Sequence, residues 1–598
     1  MKCRPVDSRP RGCEGYILAI TMLFTAISFF ILADIMSYTT VSGALVDRNN
    51  QLFDSELAAE AATEKVLTHV TADFQNGGEA LVYSRLSSYG TNYPSSSENS
   101  YWSSFTFSDA QGHNNQTYVA RLAPSVYTNL DAQYSGLMGV AAVYRVVGNA
   151  RKITARNPVQ IGVKQDVQVA TIPAFQFAIF YNQDLEINPG PVMNVTGRVH
   201  GNANLYTQPQ APLTYLSDVT AVGQIGLTNS PLDPTSRTVS TVTFDGAHDS
   251  KVTTISLPIG TNNTPSAVQG ILQLPPAGEL PTSAMGQLRY YNQADVVILV
   301  TNNVNTTVNV VTNGPVGGRT YTTNYVYTTN TVINATSGLV NNFATTIPAS
   351  EVSKFVVTNN FYNSREGLNV DSIDINVGQL KSWSATNADI RSVISRDVDI
   401  VYVADLRPAA PGTEPGVRVV NGQTLPSLGL TVATPDPLYV VGNYNAPSSY
   451  LGTTNTSTTL PASLVGDAIT VLSSSWNNAN STLSVGSRNA ASTTVNAAFL
   501  AGNVPSDGSH YSGGVENFPR FLENWSGITF TYNGSMVMMF PSAYARAPWG
   551  GANVYNPPNR NWTFNLNYLD PTKLPPGTPQ FRTIIRAAWT SVAANNVN

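Results

Sequence analysis

The chain has 598 residues, more than one hydrophobic core usually organises, so two or more domains or one elongated repetitive body is expected. Only 12% of it is charged, about half the roughly 25% of an average soluble domain, and the net charge is -5. Without a Lys/Arg stripe or a basic field, nucleic acid is excluded as a partner. The missing charge is replaced by Asn, Thr, Ser, Gly and Tyr, a composition of stacked strands and turns.

Both cysteines, Cys3 and Cys13, lie before the first hydrophobic segment. The rest of the chain therefore has no disulfide, no Cys-ligated zinc and no Cys nucleophile. His69, His113, His200, His248 and His510 are scattered without metal-ligand spacing, so no metal site and no cofactor is expected.

From Tyr16 to Ala33 the sequence runs 18 residues without a formal charge, close to the span of a bilayer core, and Asp34 ends the run. Lys2, Arg4, Arg9 and Arg11 stand before it against Asp7 and Glu14. The positive-inside rule keeps that end in the cytoplasm and sends the remainder outward. A cleaved signal peptide is the competing reading, but its apolar core is ordinarily roughly 7 to 15 residues and closely followed by a small-residue site. Here Ser42-Gly43-Ala44 is a distant and poor candidate.

No proline occurs between Ser37 and Phe74, and apolar residues recur at helical spacing: Phe53, Leu57 and Ala61, then Ala62, Val66 and Val70, with Leu67 and Phe74 one heptad apart. Membrane segment and continuation together predict one helix of about 60 residues, on the order of 90 Å long. Glu14 reads as an interfacial residue at the mouth of that helix, or as a partner for a mature N-terminal amine.

Three features resemble the leader and N-terminal helix of type IV pilins. They are the short basic leader ending Arg11-Gly12, the apolar run just after it, and Leu57-Ala58-Ala59-Glu60-Ala61-Ala62-Thr63-Glu64. The likeness is to PilX-type minor pilins and large minor pseudopilins. It implies a prepilin peptidase cut between Gly12 and Cys13, with Gly15 before Tyr16 as the alternative, and a hydrophobic helix retained on the mature protein. Major pilins carry glutamate at the fifth mature position, whereas the two options here place Ile17 or Ile20 there, which favours a minor or tip role.

Between Tyr101 and Val169 short alternating runs (YWSSFTFSD, TYVARL, VAAVYRVVGNARKI, VQIGVKQDVQV) predict an antiparallel sheet. Beyond Pro173 come short strands with Asn/Gly/Pro turns and almost no helical period. The run Gly197 to Asn204 looks like one coil of a right-handed parallel β-helix, with a β-sandwich as the alternative and no rung register assignable. Residues 260–286 and 312–343 read as insertions, the second as an exposed ladder or hairpin. The stretches from Ala433 to Leu500 and from Tyr511 resemble an uncharacterised domain that follows PilX-type N-termini in large bacterial surface proteins. Glu516, Arg520 and Glu523 beside Phe518, Phe521 and Trp525 read as an ion-paired cap.

The expected fold class is therefore mainly β with a long N-terminal helix. Its divisions are a leader (1–12), a transmembrane and amphipathic helix (13–75), a pilin-like sheet region (76–170), a β-helix-like ectodomain (171–510) and a C-terminal β region with cap (511–598).

No nucleophile elbow, P-loop, dinucleotide fingerprint, zincin or EF-hand motif is present in the sequence. His510 and Ser512 share a Gly/Ser-rich turn with no third partner placed. Asp371 and Asp374 fall on opposite faces of a strand, whereas Asp397, Asp399 and Asp405 share one face, read as the solvated side of an ordinary strand whose other side is Val398, Ile400, Tyr402 and Ala404. The resulting expectation is a non-enzymatic, single-pass inner-membrane subunit of a pilus or secretion pseudopilus, its ectodomain periplasmic or at the cell surface for adhesion or assembly. Its partners would be other pilin or pseudopilin subunits, a prepilin peptidase, membrane lipid and a carbohydrate or cell-surface ligand. The alternative is a membrane-anchored β-helix polysaccharide lyase or hydrolase.

Overall fold

The computed structural model describes residues 14–154, 158–313, 320–337, 345–550 and 553–594. The expected leader (1–12) and the Gly12–Cys13 bond lie outside them, as do parts of the expected insertion at 312–343. A long N-terminal helix carries a large β-rich body. Helix Glu14–Ser84 is 71 residues long and broken by Gly78, whose φ of 68° is non-helical.

From Gln51 downward one side of the helix is buried against a five-stranded antiparallel sheet. Strands Phe105–Ser108, Tyr118–Asn129, Met138–Lys152 and Gln160–Pro173 form four of its members, as the alternation predicts. The fifth is the last strand of the chain, Gln580–Ala593, antiparallel to Gln160–Pro173. The C-terminal region drawn at 511–598 thus divides, its final strand belonging to the sheet that holds the helix.

After Phe177 the chain forms short strands that pair in parallel and in register. Ile179–Tyr181, Val199–Gly201, Val219–Ala221 and His248–Ser250 stack on one side; Leu185–Glu186, Leu205–Tyr206 and Ile225–Gly226 on a second; Met193–Val195, Leu213–Tyr215 and Val242–Phe244 on a third. Partners in the first coils lie 20 residues apart, as where Asp184 accepts from the Asn204 amide at 2.9 Å and Asn204 from the Gln224 amide at 3.0 Å. The sequence carries this register in Leu185, Leu205 and Ile225 and in Asn182 and Asn202.

A second run coils from Ile400–Asp405 through Leu430–Ala433, Ala462–Gly466, Ala498–Asn503 and Met536–Pro541. Its last strand pairs in parallel with Ile179–Tyr181, the first strand of the earlier run. One tall sheet of 12 strands therefore joins the two runs. In strand order the chain enters this sheet at Ile179–Tyr181 in its middle, proceeds to the His248–Ser250 end, and after residues 255–290 continues from the other end back to Met536–Pro541 beside its entry strand.

A return segment, residues 255–290, includes the expected insertion at 260–286 and packs on the stack. Ile255, Leu257, Ile259, Val268, Ile271, Leu272 and Tyr290 are buried against the outer face of the tall sheet. Tyr402 Oη donates to the Leu272 carbonyl at 2.7 Å. The tall sheet is thus covered on both faces, and its strands read as continuous apolar runs such as Ile-Val-Tyr-Val-Ala.

Two short helices, Val377–Thr386 and Ala388–Ile394, interrupt the strands; each takes an Asn N-cap, with Asn376 accepting from the Gln379 amide and Asn387 from the Ile390 amide. Strands Val296–Asn313 and Thr320–Ser337 form an antiparallel hairpin off the tall sheet.

Candidate functional site

The helix divides into two physically different halves. Between Tyr16 and Asn50 no residue is buried, and the most apolar 18-residue window has no buried share at all. Tyr16, the first residue after the alternative cut at Gly15, is exposed on this stretch, and the apolar run through Ala33 makes the helix long and apolar enough to cross a membrane. Tyr38, Val41, Leu45 and Val46 continue the exposed apolar surface past Asp34.

The lower half is held closely. Ala58, Ala59, Ala62 and Thr63 form a stripe of small buried residues, and a Cβ added at Gly148 on the sheet would sit 3.2 Å from both the Ala59 carbonyl and the Ala62 Cβ. Small residues on both surfaces permit this approach. Val66, Leu67, Val70 and Phe74 then pack on Tyr144, Val146, Val167 and Ile584.

Phe53 and Leu57, which open the apolar spacing of this half, lie off the packed face. They are 62% and 60% exposed, because the sheet takes the face made by Ser55, Ala58, Ala59 and Ala62. Two large apolar side chains one turn apart thus look away from the protein, continuous with the bare helix above.

Polar ties surround the packed half. Gln165 donates to Thr63 Oγ1 at 2.8 Å and to Glu64 Oε1 at 2.9 Å, while Arg586 pairs with both Glu64 oxygens. Burial works to raise the Glu64 carboxyl, but hydrogen bonds from Arg586 and Gln165 and the Arg586 charge hold it below its ordinary value. Arg582 donates to the carbonyls of Phe74 at 2.9 Å and Gln75 at 2.8 Å, just before the Gly78 break, where helix carbonyls lack intrahelical partners. Sequence reading missed both arginines: they lie more than 500 residues from what they grip, and no local pattern marks them.

The carboxylates singled out from the sequence do not assemble. Asp397 and Asp399 precede strand Ile400–Asp405 instead of lying on it. Asp397 takes Arg391 at 2.7 Å, and Asp405 takes Arg407 at 2.6 Å. Asp399 pairs with Arg396 at 2.7 Å, beside Asp295, which is fully buried and held by both Arg396 amino groups at 2.8 Å. Burial, then the neighbouring Asp295, pushes the Asp399 carboxyl up to about 7.

The solvated-face reading is therefore corrected. Ile400, Tyr402 and Ala404 lie beneath the return segment, and Val401 and Val403 point into the core of the stack. Asp374 is buried with Arg418 at strand Leu368–Asn376, while the Asp371 carbonyl accepts from Arg407.

The expected cap at 516–525 is corrected too. Arg520 pairs with Glu366, and Glu523 accepts from the Ser473 hydroxyl at 2.7 Å; the three charges do not meet. Their aromatic neighbours pack in the core, Phe521 and Trp525 edge to face at 5.3 Å. His510 pairs with Asp507 at 3.2 Å, whereas Ser512 donates to Glu186. His200 is buried between Thr220 and Asn202 and stacked on Phe180; burial lowers it to about 4, so it is neutral. Among the described residues no group of three or more His, Cys, Asp or Glu is placed to hold a metal ion.

No protein-family model matches the chain, and no curated protein sequence does. A solved structure that matches is the competence-associated pilin ComZ from Thermus thermophilus, at 10% identity and a TM-score of 0.26 over 79% of this chain and 87% of that one. So loose a superposition does not establish a common fold.

Proposed function

We propose that this chain is a pilin-like minor subunit of a type IV pilus or a related secretion pseudopilus, anchored by one pass in the inner membrane and displaying its β-rich body for adhesion or assembly. The observation that carries this reading is the two-part helix. Its lower half is bound by a sheet and two arginines, while its upper half presents an apolar surface that nothing in the described chain covers. Lipid covers such a surface in a membrane, and helices of neighbouring subunits cover it in a filament. Phe53 and Leu57 lie where lipid no longer reaches, and so favour neighbouring subunits.

The displayed body reads as a right-handed parallel β-helix made of two joined runs. In-register parallel pairing at a 20-residue spacing and the near-universal right-handed crossover support that reading. The test is mass spectrometry of the mature N-terminus with and without a co-expressed prepilin peptidase. A peptidase-dependent N-terminus at Cys13 or Tyr16 is expected. An intact N-terminus, or a cut beyond Asp34, overturns the proposal.

A further inference from the structure

An open sheet edge is a row of unpaired amides and carbonyls that takes up any strand it meets, so edges are ordinarily kept short, charged, kinked or covered. Other edges of this protein follow that rule. Tyr118–Asn129 carries Arg121, Pro124 and two register shifts, and Gln580–Ala593 carries Arg582, Arg586 and one such shift. The outer side of Val356–Asn363 is covered: Ser481 Oγ accepts from the Tyr362 amide at 3.0 Å, and the Asn478 side chain donates to the Asn360 carbonyl at 2.9 Å. His248–Ser250 and Thr345–Ile347, at the two ends of the tall sheet, are only 3 residues long each.

The hairpin of Val296–Asn313 and Thr320–Ser337 breaks the rule. Each of its strands is 18 residues long. On their outer sides only Val296–Val300 pairs with strand Ile400–Asp405, and only Ala335–Ser337 with Thr345–Ile347. From Thr301 to Asn313 and from Thr320 to Asn334 the two strands pair with each other and, among the described residues, with no third strand. At about 3.4 Å per residue this free part is roughly 40 Å long. Its pairing keeps one register without a bulge, and neither free stretch contains Asp, Glu, Lys, Arg or Pro. A two-stranded ribbon in water is marginally stable by itself, and further strands are what ordinarily secure it.

The two open edges are unequal. Thr301–Asn313 holds Asn302, Asn303, Asn305, Asn309 and Asn313, a residue type depleted in strands. Thr320–Asn334 is rich in Thr and carries Tyr321, Tyr325 and Tyr327, which strand alternation puts on one face. A strand bearing charge near its centre repels its own copy when the two run antiparallel, because like charges meet across the pair. This strand bears none, and with Tyr325 near the two-fold axis two tyrosines meet instead. Antiparallel self-pairing is also the arrangement a two-fold axis generates, so both copies use the same surface. We infer that the edge Thr320–Asn334 pairs antiparallel with the same edge of a second copy of this chain, joining two hairpins into one four-stranded sheet.

Such pairing is independent of leader processing and filament assembly, so its test does not touch the N-terminal cut. The full-length chain in lauryldimethylamine oxide micelles is followed by sedimentation velocity over a concentration series. A reversible dimer is expected, weakened about tenfold by Tyr325→Lys and equally by Tyr325→Glu, with unchanged melting curves. Mixing the two variants sets opposite charges against each other across the axis and is expected to restore the dimer, which a merely unfolded hairpin would not do. Three outcomes overturn the pairing: a monomeric wild-type chain throughout the series, a dimer that Tyr325→Lys leaves unchanged, as association through the bare helix would give, or a mixture of the two variants that stays monomeric.

Discussion

The sheet that grips the helix and the stack of parallel strands are held together in opposite ways. The helix seat is small and polar at its margins: alanines against Gly148, and an ion pair, Arg586 with Glu64, whose two members are substantially solvated. The stack is apolar and continuous. Its core runs unbroken from Ile179 to Met538, and the carboxylates it buries, Asp436 and Glu414 among them, are pushed up to about 7 by burial. The stack resists dismantling, whereas the seat is a close fit that small changes disturb. That contrast suits a helix handled separately from the body it carries.

The sharpest test of the stack is Phe499→Ala. Its ring is fully buried, 4.7 Å from Tyr532 across adjacent coils. A loss of about 3–5 kcal/mol is expected in chemical denaturation, with the helix still seated on its sheet. Gly148→Val attacks the seat instead. Its added carbons meet Ala59 and Ala62 with no room to yield, for an expected loss of about 1–3 kcal/mol, read as faster proteolysis of residues 58–74 while the stack melts unchanged.

Acidity separates the two regions by sign. Asp399, Glu414, Asp436 and Glu516 have folded values raised to about 7. Between the ordinary carboxylate range and about pH 7 the folded stack therefore holds protons that the unfolded chain has released, and its stability falls as pH rises through that window. Glu64 is shifted the other way. Its contribution is complete above the ordinary carboxylate range and is lost as pH falls below it. Melting of the stack at pH 5 and pH 8, against hydrogen exchange of residues 58–74 at pH 3 and pH 6 corrected for intrinsic rates, reads both signs; a common sign would break the contrast.

The smallest effect on stability is expected at the outer face of the helix. Phe53→Ser and Leu57→Ser remove exposed groups and should change melting by no more than about 0.5 kcal/mol. A photo-crosslinking residue at position 57 should nevertheless join neighbouring subunits in assembled filaments. Crosslinks to lipid alone would remove the argument for subunit contact.

By itself the sequence determined the local elements. Uncharged length between Tyr16 and Ala33, absence of proline to Phe74 and apolar spacing sufficed for one long helix; alternation sufficed for the strands between 105 and 173. These are short-range signals set by backbone periodicity. The tertiary structure decided what faced what. Helical spacing alone does not distinguish a stripe for the sheet from a stripe that stays exposed, as Phe53 and Leu57 do. Strand spacing does not reveal a second apolar layer, so the Asp397–Asp405 segment read as half solvated until the return segment covered it. Nor does it show that a chain re-enters its own stack beside Ile179–Tyr181, or that Arg582 and Arg586 come back to hold the helix. Those pairings span hundreds of residues and are chosen by burial of whole surfaces, a quantity that exists only once the chain has closed on itself.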